Sequence, residues 1–330
     1  MKPAFLNEID QAFAIRQHCI LQFNTQDRYF WPEGNVQPCN LNYFLAQYFQ
    51  QQSYRFAQYI PAMGLCELNP AGNSCSEHKV IRKCSTEQDP VVVLNDIFAL
   101  LRERNERWIV LLQYGEHLAP STQGPAGSSN TEVQVAEILH QIAMDDDVAR
   151  GQSRIILATY ETMPTSLLSR SPAYRPISIG LPTEAEREAF IDYIEQLRNG
   201  GRKEFGELED GLLADELVRI TSGMPLLELE GLYRAAGHFK RCITRNEVRE
   251  TKARAIRQLA QDLLEVSEPQ SGFEGVAGLQ TLKDYVGKLL VPQIRAGRPA
   301  PQAVLLHGEP GCGKSHVVSA IACELGWPLL

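Results

Sequence analysis

The sequence has few of the features that membrane, secreted and nucleic-acid-binding proteins need. No apolar run among its 330 residues is long enough to span a bilayer, and residues 1–8 contain no signal-peptide core. Long Lys/Arg blocks are also missing, and the net charge is −8. A chain of this charge without a basic stripe is not expected to bind nucleic acid or an anionic membrane surface. We therefore predict a cytoplasmic protein with no nucleic-acid and no membrane partner.

Paired cysteines are absent as well. The 8 cysteines are scattered, and none forms a C-x-x-C pair. Cys66, Cys75 and Cys84 are evenly spaced around His78, but this spacing does not match a zinc site. Reduced thiols are the expected state. What remains is an ordinary globular composition, with 44% hydrophobic and 22% charged residues, in a chain long enough for two domains.

The strongest motif lies near residue 310. An apolar run of strand type, residues 303–307, leads into a turn rich in glycine, and a segment of helix type, residues 316–325, follows. The turn reads Gly308, Glu309, Pro310, Gly311, Cys312, Gly313, Lys314, Ser315. This matches G-x-x-x-x-G-K-[ST] in the strand–loop–helix context that the motif requires, which argues against a chance match.

The spacing of this motif has a chemical reason. Its three glycines can adopt backbone angles that a Cβ would forbid, so their N–H groups can turn toward phosphate oxygens. The helix N-terminus adds partial positive charge. Lys314 supplies a point charge for the outer phosphates, and the Ser315 hydroxyl is a ligand for Mg²⁺. The motif therefore predicts a site for ATP with Mg²⁺.

The remainder of the chain changes character near residue 180. Before it, apolar strand patterns at 18–23, 55–68, 108–114, 154–160 and 177–179 alternate with helical patterns. This alternation predicts an α/β fold with a parallel, helix-covered sheet. After it, helical patterns follow at 183–198, 211–221, 225–237 and 246–266. A break at 267–271 precedes the segment that carries the phosphate loop.

This order of elements resembles the AAA+ ATPase superfamily, in which a five-stranded parallel α/β core is followed by a small helical lid. Residues 273–279, 304–315 and 320–326, together with Leu282, Lys283 and Pro292, are similar to the start of such a core. The resemblance implies that Val276, Ala277 and Gly278 line the adenine through backbone atoms, while Gly308 to His316 hold the phosphates. It also implies three parts: a degenerate core at 1–180, a lid at 181–267, and the start of a second core at 268–330.

The first of these cores resembles the family only in layout. Residues 24–34 stand where a phosphate loop would lie, but they contain no paired glycines and no lysine. Gln113 and Tyr114 stand where an acidic, Mg²⁺-binding pair would follow a strand, and Glu116 is out of register. Thr159 is at the position of a polar sensor residue. The resemblance thus implies a first module that keeps the fold without hydrolysis.

Two functions follow. The first is the N-terminal part of a tandem AAA+ ATPase that remodels proteins or complexes, with a protein substrate or adaptor and a hexameric full-length parent. Because the metal-binding pair, sensors and arginine finger of the second core are not within 268–330, we expect a fragment that does not hydrolyse ATP alone. The alternative is a non-enzymatic pseudo-ATPase that serves as an interaction scaffold. A nucleic-acid-handling ATPase is disfavoured by the negative charge.

Overall fold

The computed structural model describes two compact units. They consist of Met1–Phe190 with Pro225–Leu227, and of Ile191–Met224 with Glu228–Leu330. The residues described are 2–69, 78–87, 89–121, 129–259, 271–295, 301, 305–309 and 311–325. Within these ranges, no helix combines the length and the apolar character needed to cross a membrane. The predicted division at residues 180 and 267 stays a prediction.

The first unit is organised around a sheet. Its strands are β1 (His18–Phe23), β2 (Arg28–Trp31), β3 (Val36–Asn40), β4 (Arg55–Ile60), β5 (Gly64–Glu67), β6 (Trp108–Gln113), β7 (Arg154–Ala158) and β8 (Tyr174–Ile179). Six of them form the main sheet in the order β5-β4-β6-β7-β1-β8, and β2 and β3 form a separate antiparallel pair. From β4 to β8 across the sheet, all neighbours are parallel. The predicted α/β core with five parallel strands is confirmed, and the antiparallel strand β5 extends it at one edge.

Helices cover both faces of this sheet. They are α1 (Ala4–Ala14), α2 (Leu41–Gln51), α3 (Lys79–Cys84), α4 (Pro90–Leu101), α5 (Gly115–Leu118), α6 (Asn130–Met144), α7 (Asp146–Gly151) and α8 (Ser166–Ser169). Along β6, Val110 and Leu112 pack into one core with α4 and α6, whereas Ile109 and Leu111 pack into another with α1 and α2. Because both faces are buried, the strands read as unbroken apolar runs in the sequence.

Residues 55–68 differ from the prediction of one strand. They form β4 and β5, joined by a reversal that includes Pro61. Gly64 has φ +79°, and a Cβ on it would lie 2.7 Å from the carbonyl oxygen of Cys84. Only glycine fits this left-handed, closely approached position without strain. The adjoining segment 69–88 contains α3, while residues 70–77 and 88 lie outside the described part.

The second unit is helical where it is described. Its helices are the latter part of α9 (Glu184–Asn199), α10 (Ala214–Ile220), most of α11 (Leu226–Phe239), α12 (Arg245–Leu259), α13 (Gln280–Tyr285), α14 (Val291–Arg295) and α15 (Lys314–Leu325). A π-helical segment, Val286–Leu290, connects α13 and α14. The all-helical interpretation of the segment after residue 182 is confirmed as far as residue 259. The predicted extension to residue 266 lies outside the described residues.

The strand predicted ahead of the phosphate loop is not found. Residues 302–304 lie outside the described part, and residues 305–309 have no regular secondary structure. The side chain of Leu305 is 91% exposed. A strand needs a neighbour for its N–H and C=O groups, and no strand occurs among the described residues of this unit. The part of the run that the structure describes, residues 305–307, therefore does not form a strand.

Candidate nucleotide-binding sites

The loop before α15 has the backbone that phosphate binding needs. Gly311 and Gly313 have φ angles of +82° and +84°, in the region that favours glycine. A Cβ on Gly308 would lie 2.9 Å from the Cys312 Sγ atom. Glycine is thus favoured by the backbone at Gly311 and Gly313, whereas at Gly308 a Cβ would require only the Cys312 side chain to move. Pro310 lies outside the described residues.

Lys314 lies over this loop. It is the first residue of α15, and its Nζ atom donates to the carbonyl oxygens of Gly308 at 2.9 Å and Glu309 at 2.7 Å. Ser315 follows in the first turn with its side chain exposed. The first N–H groups of a helix have no partner within that helix and carry partial positive charge. The arrangement therefore offers an ammonium, backbone donors and a hydroxyl at one place, which suits a phosphate chain and its Mg²⁺.

The predicted adenine segment lies beside the same helix. The Nε2 atom of His316 is 3.0 Å from the carbonyl oxygen of Gly275. The buried Val276 side chain packs in one cluster with Val317 and Ala320 of α15. Ala277 and Gly278 are exposed next to it, and the Val276 carbonyl accepts a hydrogen bond from the Lys283 ammonium. The structure thus brings together residues that are about forty positions apart in the sequence.

The corresponding place in the first unit is the end of β1. This strand lies between β7 and β8 in the sheet. The strands β4, β6 and β7, which come after β1 in the sequence, all lie on one side of it, and the chain then crosses to the other side of β1 to form β8. Ligands of open α/β sheets bind at such a reversal, outside the carboxyl ends of the strands. The loop of residues 24–27 occupies that position.

Asp27 places a carboxylate in this loop, at the carboxyl end of β1. Its side chain is 3% exposed, and Oδ1 accepts hydrogen bonds from the backbone N–H groups of Arg28 and Leu227, both at 2.7 Å. The Asn24 amide donates to Oδ2 at 2.8 Å. Burial raises the pKa of Asp27, and these hydrogen bonds oppose the rise. Because Leu227 is in the first turn of α11, Asp27 sits where a helix N-terminus would otherwise bind an external anion.

Other polar groups at this edge bond to the sheet itself. The Thr25 hydroxyl donates to the Thr159 carbonyl at 2.8 Å, and the Thr159 hydroxyl donates to the Leu21 carbonyl at 3.1 Å. Glu116 is 5% exposed, and its Oε1 atom accepts from the Tyr160 N–H at 3.0 Å. Thr159, the predicted sensor, therefore braces the loop after β1. Sequence reasoning missed Thr25 and Asp27, whose only signal is a polar residue soon after a buried strand.

The space beside this loop is small. A cavity of about 50 Å³ lies among the side chains of Phe5, Asn24, Asp27, Tyr29 and Leu226. Small-molecule sites usually measure about 300–1,000 Å³. The cavity is too small for a nucleotide, and the carboxylates of Asp27 and Glu116 at this edge would repel a triphosphate.

The parallel sheet with helices on both faces makes the first unit a Rossmann-like α/β protein. Residues 1–180 match the family described as AAA+ chaperone, N-terminal Rossmann-like domain. This match covers more than half of the 330 residues, so the chain belongs to that AAA+ family.

A distant relative supports the same superfamily. The chain is 27% identical over 261 residues to the Cell division cycle protein 48 homolog of Archaeoglobus fulgidus. The similar region covers 70% of this chain and 34% of that relative. The chain therefore spans about a third of the length of the curated relative that it matches.

Proposed function

We propose that this chain is the front part of a tandem AAA+ ATPase that remodels proteins, with a first module that does not bind nucleotide and a second module that does. The single observation that carries the proposal is the place of Asp27. Its buried carboxylate accepts two backbone N–H groups at the reversal point of the sheet, where a nucleotide-binding module would present those donors to phosphate. The first module therefore has an internal anion in place of a ligand.

The second module has the opposite charge arrangement. Lys314, the positive-φ glycines and the start of α15 would hold the phosphates of ATP, and Ser315 would contribute a ligand to Mg²⁺. Val276, Ala277 and Gly278 would contact the adenine. The metal increases the electrophilicity of the phosphoryl group when it is bound. The residues of this loop only bind and orient the nucleotide, so we propose that hydrolysis depends on groups of a full-length, oligomeric parent with a protein substrate or adaptor.

Nucleotide titration of the whole chain tests both halves of the proposal. We expect one ATP per chain in the presence of Mg²⁺, at least tenfold weaker binding in Lys314→Ala, and no phosphate release. Lys288→Ala is the matched control, because this lysine belongs to the same unit, its side chain is 76% exposed, and it is not part of the loop. Two nucleotides per chain would contradict the proposal for the first module. Binding that survives Lys314→Ala would contradict the proposal for the second.

A pseudo-ATPase scaffold is the second candidate. The small cavity and the buried Asp27 favour it for the first module. If the titration detects no nucleotide at all while the chain still captures a protein partner, the scaffold function is the better description of this chain.

A further inference from the structure

The helical unit contains a cavity that neither nucleotide site explains. Its volume is about 430 Å³, within the range of small-ligand sites. One wall comes from the end of α9 and the loop after it, and the other from the end of α11 and the loop after it. Its charged lining residues are Arg198, Arg202, Lys203, Glu207, Lys240 and Arg241. Five cations and one anion thus face one cavity in a chain of net charge −8.

The two lysines of this lining differ from the arginines. Arg198 forms ion pairs with Glu195 at 2.6 Å and Glu207 at 3.6 Å, Arg202 pairs with Glu204 at 3.7 Å, and Arg241 pairs with Glu247. Lys203 and Lys240 are both exposed, and neither forms an ion pair with any residue that the structure describes. Their charges are therefore available to an external anion.

An alternative explanation for some of these cationic side chains is that they stabilise the ends of two helices. Cations near a helix C-terminus stabilise its dipole, and both α9 and α11 end at this cavity. However, a carbonyl in the last turn of each helix already has a backbone partner, since the Arg202 N–H donates to the Leu197 carbonyl at 3.1 Å and the Arg241 N–H donates to the Ala236 carbonyl at 3.0 Å. These two carbonyls thus do not need the side chains of Lys203 and Lys240 as hydrogen-bond donors.

The backbone of Lys240 is a second, independent observation. Lys240 directly follows α11 and has φ +51°, in the left-handed region. Glycine is the usual residue at this position because a Cβ is unfavourable there. A lysine therefore occupies a place where glycine would be more stable. The same geometry occurs after other helices of this chain, at Arg16 and Ser53, so it shows only that a lysine is not needed to end α11.

The walls of the cavity are held in fixed positions. A Cβ on Gly206 would lie 2.3 Å from the Ala236 Cβ, and one on Gly237 would lie 2.4 Å from the Glu204 carbonyl oxygen. The Gly206 N–H donates to the Tyr233 carbonyl at 2.8 Å, and the Ile243 N–H donates to the Glu207 carbonyl at 2.7 Å. The loops after α9 and α11 are thus joined by backbone hydrogen bonds. Little conformational entropy of these loops is therefore lost when a ligand binds.

We propose that this cavity binds a phosphate monoester group, with Lys203 and Lys240 as its principal cationic contacts. A dianionic phosphate matches two ammonium groups, and the partly paired arginines add donors at the rim. The group can come from a small phosphorylated metabolite or from a phosphorylated side chain of a protein. This site is separate in its residues from the phosphate loop, so either proposal can fail without the other.

The test uses the full chain carrying Lys314→Ala, which silences the phosphate loop. Inorganic phosphate, a phosphoserine peptide and the same peptide without phosphate are titrated by calorimetry. We expect binding of a phosphorylated probe and at least tenfold weaker binding when Lys203→Ala and Lys240→Gly are added. Binding of phosphate alone would indicate a small-molecule source, and binding of the phosphopeptide alone would indicate a protein source.

Controls separate binding from structure. Lys240→Gly is expected to leave the thermal midpoint unchanged or higher while it weakens binding, because glycine relieves the strain at this position. Lys288→Ala, which removes an exposed lysine outside the lining, should leave binding unchanged. The proposal is wrong if no phosphorylated probe binds, if the double variant binds as well as its parent, or if the unphosphorylated peptide binds equally.

Discussion

Two loops of this molecule, one after β1 and one before α15, lie where a phosphate loop is expected. They carry side chains of opposite charge. The loop after β1 places the Asp27 carboxylate against backbone N–H groups. The loop before α15 places the Lys314 ammonium against backbone carbonyls. In the first loop, the backbone N–H groups of Arg28 and Leu227 already have an internal acceptor, the Asp27 carboxylate. In the second loop, the N-terminus of α15 stays accessible to a phosphate group. Under the proposed function, the first module keeps its fold because the Asp27 carboxylate supplies the negative charge that a bound phosphate would bring.

Acid should produce the largest change in the free energy of unfolding, through a buried histidine of the first unit. His18 is buried and accepts a hydrogen bond from the Ile155 N–H at 2.8 Å. Burial, and secondarily the Arg154 charge, lowers its pKa from 6.5 to about 3. The unfolded chain therefore takes up a proton below pH 6.5 that the folded chain refuses, and stability falls as the pH drops toward 3. The loss approaches about 4 kcal/mol, measured by urea unfolding between pH 7 and pH 3.5.

The matched variant for this prediction is His18→Gln, which cannot titrate. Its stability should fall less than that of the parent over the same pH range, although it starts lower. Equal losses in both proteins would show that another group controls acid sensitivity.

Asp27→Ala should have the next largest effect. The change leaves the N–H groups of Arg28 and Leu227 and the Asn24 amide without their acceptor in a buried place. We expect a loss of about 3 kcal/mol in the unfolding free energy, measured by urea denaturation. Asp10→Ala, which changes the same charge at a partly exposed side chain, is the control. A loss below about 1 kcal/mol would mean that Asp27 does not hold this loop.

The contribution of Asp27 to the free energy of unfolding should also depend on pH. Its folded pKa is raised above 3.8, so the folded chain binds a proton more readily than the unfolded chain. The contribution of Asp27 to stability therefore declines as the pH rises from 3.8 through the folded pKa. Asp27→Asn removes this decline, and the difference between parent and variant should change with pH only in that window. A difference that is constant from pH 3.5 to pH 7 would contradict the raised pKa.

Gly313→Ala tests the other loop. With φ +84° at this position, an added Cβ costs about 1.5 kcal/mol. Nucleotide affinity should fall roughly tenfold, because the loop leaves the geometry that presents its N–H groups. Gly287→Ala is a control in the same unit, since a Cβ there meets no atom within 4 Å and its φ is not positive. Unchanged affinity in Gly313→Ala would place the phosphates elsewhere.

Phe23→Gly should have the smallest effect, and it is a gain. Phe23 ends β1 with φ +72° and is 72% exposed, so the strain is not balanced by burial. Glycine relieves the strain, and we expect about 1 kcal/mol more stability by thermal or urea unfolding. A loss would show that the Phe23 side chain makes contacts that this fold needs.

Much of the fold follows from local patterns. The apolar runs at 18–23 and 154–160 were predicted as buried strands and contain β1 and β7, and helical periodicity located α9 and α11 to within about two residues. The reversal at Gly64 was missed, because a short antiparallel strand reads like the continuation of the strand before it. Residues 305–307 of the run before the phosphate loop were predicted as a strand but have no regular secondary structure, because an apolar pattern does not supply a pairing partner.

The sequence by itself determined the α/β fold, the phosphate-loop motif near residue 310 and the absence of that motif from residues 24–34, because these depend on residue types at short spacing. Only the tertiary structure decided what replaces the motif. Asp27 and Leu227 are 200 positions apart, and no local pattern connects a carboxylate after β1 with the first turn of α11. Their contact is set by chain topology, which brings distant donors and acceptors together only when the sheet and its helices have packed.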